Sequence, residues 1–375
     1  MSGAAPRRLL TVIESLGRGG AERLLVTTHA ALDRARFRPS VAALGPPYDL
    51  APELEAMGVT VHRLDTAGPR DLARAVLRLR RVVRKERPEL VHTHLFAANV
   101  AGRLASPGRA RVITTLHNPD YGYEDNETLR FRVRKALDRW SGRRNRLFIA
   151  VSEAVRADYQ MHMGFEPIRV LPNYLDVTAL RGRVDAVDRA RERLRLGVQE
   201  DQLLALHVGR FHRQKGQDVL LDAFAAAHVE DPRLRLCLVG EGAELPAARA
   251  RAEELGLGDA VFFAGAVADP APLLAAADLF VFPSRWEAFG IALLEAMAAG
   301  LPVVASRTGG IVEIVSDATG LLVPPEHVTA LTTAMLALAR DPAERARLAA
   351  AAAQRARDFD AAPAVRRLEG LYERG

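Results

Sequence analysis

Residues Leu279–Ser306 read LFVFPSRWEAFGIALLEAMAAGLPVVAS. The apolar run Leu279–Phe282 has the length of a strand, and a second β-branched run, Pro302–Ala305, closes the segment. Two glutamates, Glu287 and Glu295, stand eight apart between them. On one helix they would be separated by about 12 Å along the axis and rotated apart. Glu287 is therefore placed in the loop and Glu295 inside the helix. Strand, loop, helix and strand in this order build a parallel α/β sheet. Glu295 is surrounded in sequence by Leu293, Leu294, Ala296 and Met297, where an unpaired carboxylate is costly. A ligand carrying hydroxyl donors would compensate it; a backbone N–H is the structural alternative.

The same rhythm extends outward in both directions. Upstream in the second half, strands are expected at Leu203–Val208, Leu234–Val239 and Ala260–Phe263. In the first half they are expected at Leu9–Ile13, Ser40–Ala43, Val59–Leu64, Leu90–His94, Val112–Leu116 and Leu147–Val151, with helices such as Ala21–Leu32 and Asp71–Lys85 between them. Leu171–Arg183, with Pro172 and Asn173, is the candidate linker, and Pro342–Gly375 is Ala/Arg-rich and helical. Two doubly wound domains in tandem would meet at a cleft, and such sheets bind ligands beyond the carboxyl ends of their strands.

Composition supports this organisation. At 375 residues the chain has the length of two domains, and 49% apolar with 26% charged residues is ordinary for a globular protein. Disorder, a coiled coil and a collagen-like fibre are excluded. The single cysteine, Cys237, excludes an internal disulfide and a cysteine-based zinc site. No stretch supplies about 18 charge-free apolar residues, and MSGAAPRR lacks a signal-peptide core, so a cytoplasmic enzyme is expected. The net charge of +6 is uneven: Met1–Leu180 holds 29 basic and 19 acidic residues, the remainder 23 and 27. The two halves are thus expected to meet different partners. Arginine supplies 49 of the 52 basic residues, a bias that coding composition alone can produce.

Two further clusters carry chemistry. Gly17-Arg18-Gly19-Gly20-Ala21-Glu22 follows the first strand and opens a helix, where small residues let backbone N–H groups approach an anion. It fails as a dinucleotide fingerprint because Glu22 occupies the third small position; a tight turn is the structural alternative. His207-Val208-Gly209-Arg210-Phe211-His212-Arg213-Gln214-Lys215-Gly216 follows another strand. Arg210 and Lys215 there form a pair suited to clasping a diphosphate, against the alternative of a solvated charged loop. Lys215 is one of only three lysines in the chain.

These segments closely resemble the retaining glycosyltransferase family 4. The matching pieces are Gly19-Gly20-Ala21-Glu22, Val208-Gly209-Arg210 with Lys215-Gly216, Leu238-Val239-Gly240-Glu241-Gly242, Glu287-x7-Glu295, Thr308-Gly309-Gly310 and Thr319-Gly320-Leu321-Leu322-Val323. The resemblance implies the α/β GT-B fold: two Rossmann-like doubly wound domains, an interdomain cleft and a C-terminal helical segment. It implies an acceptor-binding domain over 1–178, a nucleotide-sugar-binding domain over 179–355, and a helix over 356–375 returning to the first domain.

It also implies residue roles. Glu295 would accept hydrogen bonds from the ribose hydroxyls. Glu287 and the backbone N–H groups of Ala288, Phe289 and Gly290 would contact the donor sugar. Arg210 and Lys215 would neutralise the leaving diphosphate, flanked by Gly209 and Gly240, so that neither metal nor cofactor is required. Gly19 and Gly20 would approach the phosphates, and His117, which ends a strand, would orient donor and acceptor. His92 and His94 flank another strand end and are weaker candidates. Ala288 stands where many relatives have glycine.

The expected reaction is transfer of a sugar from a nucleotide diphosphate, UDP favoured over GDP, to an acceptor hydroxyl of a cell-surface glycan or lipid-linked sugar. A small soluble acceptor is the alternative, and an epimerase on the same architecture is a weaker one. Arg130–Arg146 holds seven Arg and one Lys among 17 residues, with Phe131, Val133, Leu137 and Trp140 interleaved. It reads as an amphipathic helix that either lies on an anionic inner membrane surface or packs on its own domain. With no aromatic stacking platform or recognised module, a nucleic-acid partner is not expected.

Overall fold

Residues alternating along a strand face opposite sides of its sheet, so a parallel strand covered on both sides must be apolar throughout. The first strand meets that demand over Leu9–Ile13, where the one polar side chain, Thr11, is hydrogen-bonded to His29 at 3.3 Å. Leu9, with Leu90 and Ile113 of its neighbours, packs against Val365, Leu368 and Tyr372. Leu10, with Val91 and Val112, packs on the other face against Leu79 and Ala98. The computed structural model describes residues 5–66, 71–106, 108, 110–119, 121 and 128–374. Its chain divides into two units, Met1–Tyr174 with Ala361–Gly375, and Leu175–Asp360. The sequence reading drew these boundaries at 178/179 and 355/356.

The first unit holds a seven-stranded sheet of β1 (Arg7–Ile13), β2 (Phe37–Ala43), β3 (Thr60–Arg63), β4 (Leu90–His94), β5 (Arg111–Leu116), β6 (Leu147–Ala150) and β7 (Ile168–Val170). Its order is β3-β2-β1-β4-β5-β6-β7, with every pair parallel. The second unit holds six strands, β8 (Leu203–Val208), β9 (Leu234–Val239), β10 (Val261–Gly265), β11 (Leu279–Phe282), β12 (Val303–Ser306) and β13 (Leu321–Val323). Their order is β10-β9-β8-β11-β12-β13, again parallel. The direction of winding therefore reverses between β1 and β4 in one sheet and between β8 and β11 in the other. At such a switch point the loops leaving two adjacent strands diverge and open a crevice.

The structure amends the sequence reading in two places. Strands β7 and β13 were not anticipated. The expected linker Leu171–Arg183 runs into a helix, Val177–Asp185, which Asp176 caps by accepting the N–H of Ala179 at 2.8 Å. The Ala/Arg-rich end is helical as expected, in two pieces, Pro342–Ala356 and Ala361–Arg374. The second piece inserts Val365, Leu368 and Tyr372 into the core of the first unit.

Candidate functional site

In the second unit the loops that leave β8 and β11 lie at its switch point, and the two are tied to each other. Arg285 N–H donates to the Gln214 carbonyl at 2.8 Å, and Gln214 Nε2 donates to the Trp286 carbonyl at 3.0 Å. The Arg285 guanidinium spans Asp218, at 2.7 and 2.9 Å, and Glu326, at 2.6 Å. These carboxylates push its pKa further up. Gly309 has φ +48°, and a Cβ there would collide with the Glu287 carbonyl. A residue with a side chain would thus displace the loop that carries Glu287.

Within this frame Lys215 Nζ forms an ion pair with Glu287 Oε2 and sits 5.0 Å from the centre of the Phe282 ring. Ser284 Oγ donates to the same carboxylate oxygen at 3.4 Å. Arg210 is exposed, and its guanidinium has no ion pair among the described residues. Its carbonyl is held by Gln217 Nε2 at 3.0 Å. Gly209 and Gly240 are in close backbone contact, since a Cβ on Gly240 would meet the Gly209 carbonyl. Glu287, Ala288 and Phe289 precede the helix Ile291–Ala298, and Gly290 caps it.

Glu295 lies inside that helix, where the Glu-x7-Glu spacing put it. Leu293, Leu294, Ala296 and Met297 are buried, while Glu295 on the other face is half-buried. Glu287, 7% exposed, is the more buried of the two carboxylates, and Lys215 pairs with it. A cavity of about 490 Å³ among residues such as Arg181, Asp278 and Pro302 lies at the amino ends of β11 and β12, away from these loops.

In the first unit Gly19 and Gly20 open the helix Gly20–Ala31. The Glu22 carboxylate folds back over Gly19 and accepts from Ser15 Oγ at 3.1 Å. Burial raises its pKa. His117 follows β5 and lines a cavity of about 170 Å³ with Glu14, Asn99, Thr115, Arg134 and Tyr159. His117 Nε2 lies 2.9 Å from His94 Nδ1. Burial lowers the His117 pKa to about 4 and holds His94 well below its usual value, so both rings are neutral near pH 7.

Thr115 is supported from beneath. The Tyr372 hydroxyl is 2.7 Å from His92 Nδ1, and His92 Nε2 is 2.7 Å from Thr115 Oγ1. Burial holds the phenol pKa well above its usual value, so it keeps its proton and can either donate to Nδ1 or accept from it, according to the tautomer of His92. His92 and His94 are thus the supports of the cavity that His117 lines. Glu14, Asn99, Arg134 and Tyr159 were not anticipated; the one signal available was that Glu14 is the first polar residue past a strand end. Among the described residues no cluster of three or more His, Cys, Asp or Glu could hold a metal ion, and no helix is long and apolar enough to cross a membrane.

Two parallel sheets, each with a polar site at its switch point, define a tandem Rossmann-like protein. The family comparisons give that class its name. Residues 18–179 match Glycosyltransferase Family 4 and residues 188–355 match Glycosyl transferases group 1. A glycogen synthase of Mycobacterium tuberculosis is 31% identical over 301 residues, 77% of this chain and 70% of that protein. The D-inositol 3-phosphate glycosyltransferase of Kribbella flavida is 39% identical over 186 residues, 46% of this chain and 43% of its own length. The crystal structure of Anabaena HepE in complex with UDP-glucose superposes with a TM-score of 0.85 at 26% identity, covering 98% of this chain and 99% of that one. The chain belongs to glycosyltransferase family 4, with the GT-B fold.

Proposed function

We propose that the chain is a retaining, metal-independent hexosyl- or N-acetylhexosaminyltransferase. It moves a sugar from a nucleotide diphosphate, UDP before GDP, to an acceptor hydroxyl in cell-surface glycan or glycolipid synthesis. The observation that carries the reading is the Lys215–Glu287 ion pair at the β8/β11 switch point, with exposed Arg210 on the same loop as Lys215. The complexes of HepE with UDP and UDP-glucose support the uridine preference.

In this reading the incoming diphosphate draws Lys215 away from Glu287 and pairs with it and with Arg210. Glu287 is then free to accept from hydroxyls of the donor sugar, while the backbone N–H groups of Ala288, Phe289 and Gly290 contact the same sugar. Glu295, on the half-buried face of its helix, accepts from the ribose hydroxyls. The bond from the anomeric carbon to the diphosphate oxygen breaks, and the bond to the acceptor oxygen forms on the same face. The departing phosphate oxygen takes the acceptor proton. Arg210 and Lys215 stabilise the charge that develops on the leaving group, which is where fixed cations contribute most. Gly19, Gly20 and neutral His117 remain the assigned contacts of the first unit.

The test is a thermal-shift panel of UDP, GDP, TDP and ADP, with and without a divalent metal, on the wild type and Glu295→Ala. A ligand that binds only the native state raises its melting temperature by mass action. The expected result is a rise selective for UDP, indifferent to metal and lost in the variant. No rise with any nucleotide would overturn the reading.

The exposed face of the helix Leu129–Gly142 favours a membrane-held acceptor over a soluble one. Leu129, Val133 and Trp140 are 75%, 57% and 47% exposed, and they fall on one helical stripe flanked by exposed Arg132, Arg139 and Arg143. Phe131 and Leu137 are partly buried. An apolar stripe with cationic borders fits the interface of an anionic bilayer. Co-sedimentation with phosphatidylglycerol vesicles should exceed that with phosphatidylcholine, weaken in high salt and fall in Trp140→Ser. Equal recovery with both vesicles would leave the soluble acceptor as the reading.

A further inference from the structure

Residues 287–290 carry the backbone N–H groups assigned above to the donor sugar, yet they lie between β11 and the helix Ile291–Ala298, outside both elements. Other segments must therefore fix this loop. One is the turn at Gly309 and Gly310. The Gly310 N–H donates to the Glu287 carbonyl at 2.9 Å, and a Cβ on Gly310 would collide with the Ala288 carbonyl. The second hold is aromatic. Phe289 is 1% exposed, and its ring meets that of Phe359 edge to face, at 73° with the centres 5.6 Å apart. Such a pair has a preferred geometry, so it fixes direction as well as burial.

Phe359 is itself supported from behind. It is buried, and the Arg355 guanidinium lies 4.8 Å from the centre of its ring. The Arg355 nitrogens donate to the carbonyls of Glu313 at 2.7 Å and Ile314 at 3.3 Å, and pair with Asp358 at 2.8 Å. Glu313 and Ile314 end the short helix Ile311–Ile314, which starts directly after Gly310. The contacts close on themselves: loop, Phe359, Arg355, short helix, Gly310 and loop again.

Phe359 also stands where the chain is about to leave the second unit. Its carbonyl accepts the Leu175 N–H at 3.2 Å, and Asp360 forms a bridge with Leu175 and accepts the Val177 N–H at 3.2 Å. Leu175 is the first residue of that unit and Asp360 the last. One residue thus holds the loop through its ring and the entry of the chain through its carbonyl.

We infer that Phe359 is a positioning residue for the donor sugar: its ring sets Phe289, and with it the N–H groups of Ala288, Phe289 and Gly290. The inference rests on the transferase reading above, which gives those groups to the sugar. Phe359 then alters affinity for the sugar and not for the nucleotide, whose ribose and diphosphate fall to Glu295, Arg210 and Lys215. By linkage, a sugar that orders the loop also orders Phe359 and the Leu175 amide bonded to it.

The experiment measures, by calorimetry on the full chain, the affinity of UDP and of UDP-glucose, UDP-galactose and UDP-N-acetylglucosamine. Phe359→Leu keeps a buried apolar side chain without a ring. It should weaken the tightest-binding UDP-sugar fivefold or more while UDP changes less than twofold. Phe359→Tyr, which keeps the ring, should stay within twofold of the wild type for both. Hydrogen exchange adds a readout that needs no variant. In the wild type the UDP-sugar should slow exchange of the Leu175 N–H more than UDP does, and in Phe359→Leu that difference should vanish.

The inference fails if Phe359→Leu weakens UDP as much as the UDP-sugar or leaves both unchanged. It fails too if Phe359→Tyr loses as much as Phe359→Leu, or if Leu175 exchange in the wild type is indifferent to the sugar. Failure of the transferase reading is distinguishable, since there UDP itself would not bind the wild type.

Discussion

Lys215 and Glu287 act as a pair whose partners are both largely withdrawn from water, with side chains 15% and 8% exposed. Removing one member of such a pair costs more than removing both, because the survivor keeps its charge without compensation. Lys215→Met should lower stability by about 3 kcal/mol, and adding Glu287→Gln should recover most of that loss, read as a double-mutant cycle in urea. Additive losses would mean that the two residues are not coupled. The buried histidines give a second prediction. Desolvation holds His29 and His117 near 4 and His92 near 3. In the unfolded chain each titrates near 6.5, so below that pH the unfolded state binds more protons than the folded one. Stability should be flat above pH 6.5 and fall as pH drops toward 4, by about 1.4 kcal/mol per pH unit for each histidine that stays neutral. Denaturant midpoints across that range test this, and His29→Gln should make the slope shallower.

At the scale of elements, Arg103 joins two helices. It is fully buried, pairs with Asp138, and reaches Ser141 Oγ at 3.2 Å and Asn145 Oδ1 at 3.2 Å. Asp138 also accepts from the Tyr121 hydroxyl at 2.7 Å. This network fixes the helix Leu129–Gly142, which carries Arg134 into the cavity. Asp138→Ala should cost about 3–5 kcal/mol, and the pair of changes Arg103→Met and Asp138→Ala much less, in the same urea titration. What the sequence disclosed follows from length and adjacency. Runs such as Leu203–Val208 and Leu90–His94 matched the observed strands because central strands are long, apolar and bounded by turns. The three-residue strands β7 and β13 did not, since three residues carry no period. Pro172 and Asn173 masked the helix that Asp176 starts. Lys215 and Glu287 were legible because each lies in a loop directly after a strand. Glu14, Asn99 and Arg134 were not, because only the strand order β1-β4-β5 brings their segments together.

For the whole molecule, the decisive feature is that the first unit is closed by the helix Ala361–Arg374. Arg36 binds Glu369 at 2.8 Å, the Asp33 N–H donates to Glu369 at 2.8 Å, and Tyr372 props the ring of His92. Removing residues after Asp360 would uncover Leu9, Phe37, Leu90 and Ile113 together. Hydrogen exchange on that truncated chain should show lost protection in β1 and β4, with β8 and β11 still protected. Protection retained in β1 and β4 would show that the helix is an accessory to the core.

That closure also sets an order in time. During synthesis the strands of the first unit emerge early, yet the side chains that seal their core are made after the whole of Leu175–Asp360. At ~5–20 residues per second the gap is roughly 10–40 s, long compared with the microseconds to seconds in which small domains fold. The nascent first unit must wait through that interval with Leu9 and Phe37 without their final cover, as a client for chaperones. The second unit, continuous in sequence, can finish folding before the first.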